Sequence, residues 1–167
     1  MSQTPDQLAN QTPGSSDQVA DIRLVSPSER DTAAAILAPA TDEGNTAAAL
    51  AHIEAAEAGG GVLLGAFLGG EMIAAYTIRK DGMANQVSLI AVREDYRRRG
   101  IGRSLLHDAL NRSGRRPVTI ETDDEGLPFY KACGFKVFGR RPQPSGVIRW
   151  RLGWHTPRTD PTEGSQG

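Results

Sequence analysis

The sequence has few cysteines, no long apolar run and almost no excess charge, and each shortage excludes a class of protein. One cysteine in 167 residues excludes a disulfide-bonded framework and a zinc site built from several thiolates. No apolar run approaches the ~20 residues that a membrane-spanning helix needs. The 19 basic and 20 acidic side chains leave a net charge of −1, which argues against a generally basic nucleic-acid-binding protein.

Both ends of the chain are polar and carry few large apolar residues. We predict that residues 1–20 and 156–167 are disordered tails, because such segments cannot bury enough apolar area to offset their ordering entropy. The first twenty residues contain no Lys or Arg and no apolar segment typical of a secretory signal, so we expect a cytoplasmic protein. Residues 21–155 suffice for one domain.

Apolar periodicity and turn residues predict a mixed α/β domain with the element order βαα, βββ, αβαββ. Ser26-Pro27 with Glu29 forms a capping-box pattern, which starts a helix that runs to about Leu37. Gly69-Gly70 between two apolar runs predicts a tight hairpin. The other predicted strands cover residues 22–25, 62–68, 71–80, 86–92, 117–122, 135–138 and 147–152, and the other helices cover 46–58, 103–111 and 126–133.

Residues 89–106 form an apolar strand, a basic turn with two glycines, and a helix. Five arginines against Glu94 and Asp95 give the turn a local charge of +3; they are Arg93, Arg97, Arg98, Arg99 and Arg103. Gly100 and Gly102 permit close approach of the backbone to a ligand, and a helix N-terminus binds anions. Arginine donates two parallel hydrogen bonds to phosphate. The segment suits a polyanionic ligand, although a solvated basic turn has the same composition, and it matches neither a Walker loop nor the dinucleotide fingerprint.

Two motifs in this order resemble those of the GCN5-related N-acetyltransferase (GNAT) family. Arg97-x-x-Gly100-x-Gly102 after an apolar strand resembles the family's Gln/Arg-x-x-Gly-x-Gly/Ala loop. The segment from Phe129 to Phe135 resembles the family's short helix ending in Tyr-x-x-x-Gly-Phe. The resemblance covers about residues 21–155, most strongly 86–138. It implies a single domain with a twisted mixed sheet of six or seven strands, of which the fourth and fifth splay apart, flanked by four helices.

The resemblance implies that acetyl-CoA is the co-substrate. The three histidines are scattered and do not form a metal site, so no metal is expected. The backbone of the fourth strand would pair with the pantetheine arm, as an added strand does at an open sheet edge, and N–H groups of the turn would hold the pyrophosphate. The cofactor-binding residues implied in this way are Ile90, Ala91, Val92, Arg97, Arg98, Arg99, Gly100, Ile101, Gly102 and Arg103.

The implied reaction is direct acetyl transfer to an amine within a ternary complex. An alkyl amine has a pKa near ~10, so a base must take its proton, and a backbone N–H near Ala91 or Val92 would stabilise the oxyanion. Tyr130 matches the position of the family's general acid, with a packing aromatic as the alternative. The glutamate that several members carry in the fourth strand is missing here, so Glu121 is the first candidate base. Its alternatives are amine binding and helix capping.

Several expectations remain open at this point. The acceptor is a small-molecule or peptide amine of unidentified class, and neither nucleic acid nor membrane is expected as a partner; a homodimer is possible. A non-catalytic acyl-CoA-binding or regulatory module of the same fold is the alternative function. Asp123 and Asp124 are predicted helix N-caps, and Cys133 is predicted to be a small buried apolar residue. His52 lies on the second predicted helix, a region that the resemblance implies could line the acceptor site.

Overall fold

A seven-stranded mixed sheet runs through the structure, a computed structural model that describes residues 19–155. The strands are β1 (Asp21–Leu24), β2 (Val62–Leu68), β3 (Glu71–Asp81), β4 (Ala84–Val92), β5 (Val118–Thr122), β6 (Lys136–Pro142) and β7 (Ile148–Trp154). The helices are α1 (Arg30–Leu37), α2 (Thr46–Ala58), α3 (Ile101–Ser113) and α4 (Leu127–Ala132). The strand order is β1-β2-β3-β4-β5-β7-β6. This confirms the predicted fold class; the predicted tails lie outside the described residues, apart from residues 19 and 20.

Local signals in the sequence place most element boundaries within two residues. The capping box is present, since the Ser26 N–H donates to the Glu29 carboxylate at 3.0 Å. The predicted first turn of that helix is wrong in type: Pro27–Glu29 is a 3-10 turn, and α1 begins at Arg30. Gly69 and Gly70 have φ values of +56° and +83°, as a two-residue hairpin with a left-handed turn requires.

Several predicted elements are too short, and α3 and β6 show why. Helix α3 begins at Ile101 rather than Arg103, because Gly100 in the left-handed conformation is its N-cap. Strand β6 continues to Pro142, four residues past its predicted end, because its ladder with β7 runs from Lys136↔Gly153 to Pro142↔Ile148. Cross-strand pairing therefore sets this boundary, and the local apolar pattern does not reveal it.

The core lies on both faces of the sheet. On one face, α3 packs its fully buried Leu105 against Leu64 and Tyr76 of the sheet. On the other face, Leu37 of α1 and Ile53 of α2 pack against apolar residues of β2, β3 and β4. Helices α1 and α2 contact β2, β3 and β4. On the same face of the sheet, β5 and β7 are left uncovered by these helices, and a cavity forms there.

Strands β4 and β5 are parallel neighbours for only three residue pairs, from Asn85↔Val118 to Val87↔Ile120. Ser88 directly follows the last pair and is an extra residue against β3, since Ile78 pairs with Val87 and Thr77 with Leu89. A bulge of this kind bends its strand. It accounts for the predicted splay of the fourth and fifth strands, which begins at this position.

Candidate active site

The basic loop, residues 93–103, presents a row of free backbone donors. Arg98 and Gly100 have φ values of +66° and +80°, so the backbone adopts the left-handed conformation at two positions just before α3 begins. Within the part of the chain that the structure describes, the six N–H groups of residues 98–103 donate no hydrogen bond to the protein. Successive N–H groups in such a turn, together with the dipole of α3, form a concave site for an anion.

The arginines of the basic loop have different surroundings. Arg97 donates through Nε to the Val92 carbonyl at 3.0 Å, which holds the loop against the end of β4. Arg93 forms ion pairs with Glu71 and Asp95, and Arg99 stacks 5.0 Å from the centre of the Tyr96 ring. Glu71 of β3 therefore offsets part of the local excess charge of +3 predicted from the sequence.

A cavity of about 790 Å³ lies between the basic loop, the open edge of β4 and helix α4. We call it the loop cavity. Nine of the ten predicted cofactor-binding residues line it: Ile90, Ala91, Val92, Arg97, Arg98, Gly100, Ile101, Gly102 and Arg103. Arg99 is the tenth and does not line the cavity, because it packs on Tyr96. The two motifs found in the sequence thus meet at one cavity, which α4 closes with Phe129 and Tyr130.

A second open volume, the acceptor-side basin, continues from the loop cavity through the splay. It has two overlapping parts of about 450 and 510 Å³, which share Ser88, Glu121 and Arg149 among their lining residues. Helix α2 contributes His52 to its wall. The basin occupies the sheet face that α1 and α2 leave uncovered, so the fold provides two connected chambers on either side of the splayed strands.

Tyr130 lies where the two chambers meet, since it lines both the loop cavity and the basin. Its hydroxyl has no hydrogen-bond partner among the described residues. Burial raises the pKa of this phenol, and the nearby Arg149 charge lowers it by a smaller amount. The group therefore stays protonated at neutral pH, with its proton available to a ligand. Its ring packs edge-to-face against Phe129 and Phe135, 5.1 and 6.2 Å away.

Glu121 lines the basin but is held by two guanidinium groups. Arg141 donates to its Oε1 at 2.6 Å, and Arg151 lies 3.7 Å from its Oε2. Its side chain is still 21% exposed, so solvent reaches the carboxylate. Neither Glu121 nor Asp123 caps the next helix, because the N-cap of α4 is Gly126, without a side-chain cap. Asp123 instead accepts from the Gly126 N–H at 3.0 Å, within the turn that precedes α4.

Two other expectations need correction. Asp124 is not a helix cap, because its carboxylate accepts a hydrogen bond from the Trp150 indole at 2.6 Å. Cys133 is partly rather than fully buried, and burial raises the pKa of its thiol. A raised pKa disfavours the thiolate, so this position offers no activated nucleophile.

Sequence reasoning missed the polar residues that complete the basin. Asp42 and Gln143, a hundred residues apart in sequence, meet through a 3.1 Å hydrogen bond, and Arg149 projects from β7 to line both parts of the basin. The alternation of arginines in β7 predicts one polar face, but only the sheet order shows that this face lies opposite α2.

The described residues contain no cluster of three or more His, Cys, Asp or Glu side chains that could hold a metal ion. Within residues 19–155, no helix is both long and apolar enough to cross a membrane.

Comparison with protein families gives one match over most of the chain. The profile of the acetyltransferase (GNAT) domain matches residues 36–150, which include both motifs and every residue discussed above that lines the chambers. The chain belongs to the GNAT acetyltransferase family. Among curated proteins, no sequence matches it significantly.

Solved structures of GNAT proteins share the fold at low sequence identity. An aminoglycoside 6'-N-acetyltransferase complexed with coenzyme A has a TM-score of 0.69 at 15% identity, covering 83% of this chain and 98% of that one. Ard1 from Thermoplasma volcanium has a TM-score of 0.67 at 21% identity, covering 84% and 99%. A GNAT acetyltransferase from Elizabethkingia anophelis with acetyl-CoA bound has a TM-score of 0.63 at 18% identity, covering 82% and 98%. This similarity extends over nearly the whole of each GNAT domain.

Proposed function

We propose that this GNAT domain is an acetyl-CoA-dependent N-acetyltransferase that transfers the acetyl group directly to an amine in a ternary complex. One observation carries the proposal: Tyr130, with a free and protonated hydroxyl, stands where the loop cavity opens into the acceptor-side basin. Direct transfer needs both substrates bound at once on either side of the reacting atoms. Two connected chambers meeting at a proton donor meet that need.

The loop cavity suits the phosphates and the pantetheine arm of acetyl-CoA. Its six free N–H groups can receive a pyrophosphate without displacing any bond of the protein, and Arg98 and Arg103 line the same cavity. A Cβ at Gly100 would meet no protein atom within 4 Å, so the space in front of the turn is open to a ligand. GNAT structures complexed with coenzyme A or acetyl-CoA share this fold.

When bound, acetyl-CoA supplies the acetyl group, and the protein orients it and moves protons. The open edge of β4 at Ile90, Ala91 and Val92 can align the pantetheine arm, with a backbone N–H there as the donor to the acetyl oxygen. Tyr130 donates its proton to the departing sulfur. Glu121 accepts the amine proton, through water, since its own oxygens are engaged by Arg141 and Arg151.

Replacing Tyr130 by Phe tests the central assignment. We expect kcat for thiol release from acetyl-CoA to fall about a hundred-fold, the size of effect typical of losing one general acid. Affinity for coenzyme A should change little, because the ring and its contacts with Phe129 and Phe135 remain. Thiol release across an amine panel and calorimetry with coenzyme A measure the two effects separately.

The alternative, a binding module that has lost turnover, gives a different result in the same assays. Such a module would bind coenzyme A and release no thiol with any amine. Full activity of Tyr130→Phe would instead support the acetyltransferase activity and contradict the role of the Tyr130 hydroxyl as general acid.

A further inference from the structure

The acceptor-side basin contains a cation, Arg149, that no acidic group of residues 19–155 neutralises. Arg149 is half-buried in β7 and, of the described arginines and lysines, is the one that lines both parts of the basin. It forms no ion pair with any residue in the described range, 19–155. A guanidinium held in a cavity without a partner is placed to receive an anion from a ligand.

The other Arg, Asp and Glu side chains of the basin each have a hydrogen-bond partner among the described residues. Glu121 is bound to Arg141 at 2.6 Å and lies 3.7 Å from Arg151. Asp42 accepts a hydrogen bond from Gln143, and Arg79 donates through Nε to Gln86 at 3.1 Å. These contacts leave Arg149 as the cation best placed to recognise a ligand between the two parts of the basin.

We infer that the acceptor amine also carries a carboxylate, which Arg149 binds, so that the substrate is a compact amino acid. Arg149 and Tyr130 both line the part of the basin of about 510 Å³, which limits the separation between the amine and the anion. A carboxylate matches a single planar guanidinium through two parallel hydrogen bonds. A phosphate carries up to two negative charges and would be opposed by Glu121 and Asp42 in the same basin.

This inference rests on the proposed function and is tested by comparing acids with their neutral counterparts. The panel contains the standard amino acids other than cysteine, together with β-alanine and γ-aminobutyrate, each paired with its primary amide. Thiol release from acetyl-CoA is measured for every pair. We expect the best acceptor to be an acid whose kcat/KM exceeds that of its amide by at least about ten-fold.

The variant Arg149→Leu should lower kcat/KM for the best acid by about ten- to a hundred-fold. The kcat/KM for the corresponding amide should stay within about three-fold of the wild-type value. Arg149→Lys keeps the positive charge but cannot donate two parallel hydrogen bonds, so its kcat/KM for the acid should lie between those of Arg149→Leu and the wild type. Arg140→Leu is the matched control, because Arg140 lies on the neighbouring strand, is exposed and lines neither chamber. Unchanged affinity for coenzyme A in all three variants would show that the fold is intact.

Two results would overturn the inference while leaving the acetyltransferase in place: equal turnover of acids and amides, or an equal loss for acid and amide in Arg149→Leu. The last would mean that Arg149 acts only through Tyr130. Absence of turnover with every amine, despite binding of coenzyme A, would overturn the proposed function and this inference together. If amines without a carboxylate are turned over, the acetyltransferase is retained and only the inference about Arg149 fails.

Discussion

Glu121 shows how the surroundings of a single residue limit the chemistry that its type allows. A carboxylate at the end of β5 next to the cleft is a reasonable candidate base from sequence. Both of its oxygens nevertheless face a guanidinium group, since Arg141 lies 2.6 Å from one and Arg151 lies 3.7 Å from the other. These two partners occupy positions from which an amine would contact the carboxylate directly, which favours a water molecule between Glu121 and the amine.

Replacing Glu121 by Gln distinguishes a base from a residue that only binds the amine. Loss of the base should lower kcat near neutral pH by about a hundred-fold, and the loss should shrink as the pH rises toward the amine pKa of ~10, where the acceptor is already neutral. Kinetics of thiol release between pH 7 and 10 measure this. Glu54→Gln, at an exposed position of α2, is the control. A higher KM with unchanged kcat would assign Glu121 to amine binding and contradict the proton-accepting role.

At the residue scale, the motif residues could be predicted, as could Glu121 and His52 of the basin, but the other polar residues of the basin could not. The motifs that contain Gly100, Gly102 and Tyr130 are defined by the spacing of nearby residues, so they can be found in the sequence. In the structure, all three residues line one cavity. Arg149 has no such spacing. Its position in the basin depends on the order in which β5, β7 and β6 join the sheet, and nothing within a few residues of it encodes that order.

The basic loop is the element on which binding of acetyl-CoA depends. Gly100 has a φ of +80°, and a Cβ there would point into open space in front of the free N–H groups. An alanine at this position costs about 1 kcal/mol of stability, as any side chain does in a left-handed conformation. It also puts a methyl group where the ligand must approach. Two separate effects are expected from one substitution.

Gly70 provides a matched control for these effects, because it has nearly the same φ, +83°, and equally open surroundings in the β2–β3 hairpin. Gly100→Ala and Gly70→Ala should therefore lose similar stability in urea unfolding. Only Gly100→Ala should weaken coenzyme A binding, by at least about ten-fold in calorimetry. Equal affinities in the two variants would contradict the assignment of the basic loop to the pyrophosphate.

At the scale of elements, the order of helices and strands follows from local patterns, but the splay does not. Each local pattern that predicts an element boundary lies within the turn that it forms, as at Ser26 and at Gly69 and Gly70. Such boundaries can therefore be predicted from the sequence. The bulge at Ser88 arises because Thr77 binds both Ser88 and the Leu89 N–H, at 2.6 and 3.1 Å. This contact joins residues eleven and twelve positions apart, and periodicity alone cannot reveal it. The family resemblance, rather than the local sequence, predicted the splay.

For the whole molecule, the splay makes the sheet two parts joined by few bonds. Strands β1 to β4 form one ladder and β5, β7 and β6 another, with three residue pairs between them. The loop cavity is lined from both sides of this junction, by β4 on one side and by Asp123 and α4 on the other. A ligand in that cavity adds contacts across the weakest part of the sheet and should stabilise both parts together.

Acetyl-CoA at a hundred times its dissociation constant should stabilise the folded protein by about 2.7 kcal/mol, which corresponds to a rise in Tm of roughly 10 °C for a domain of this size. Hydrogen exchange should slow at Ile90, Ala91 and Val92 and in α4, and stay unchanged in the β2–β3 hairpin, because only the former line the cavity. Gly100→Ala at the same ligand concentration should show a smaller Tm shift than Gly70→Ala. Protection confined to the basic loop, with none in α4, would mean that the ligand binds one part only and does not bridge the splay.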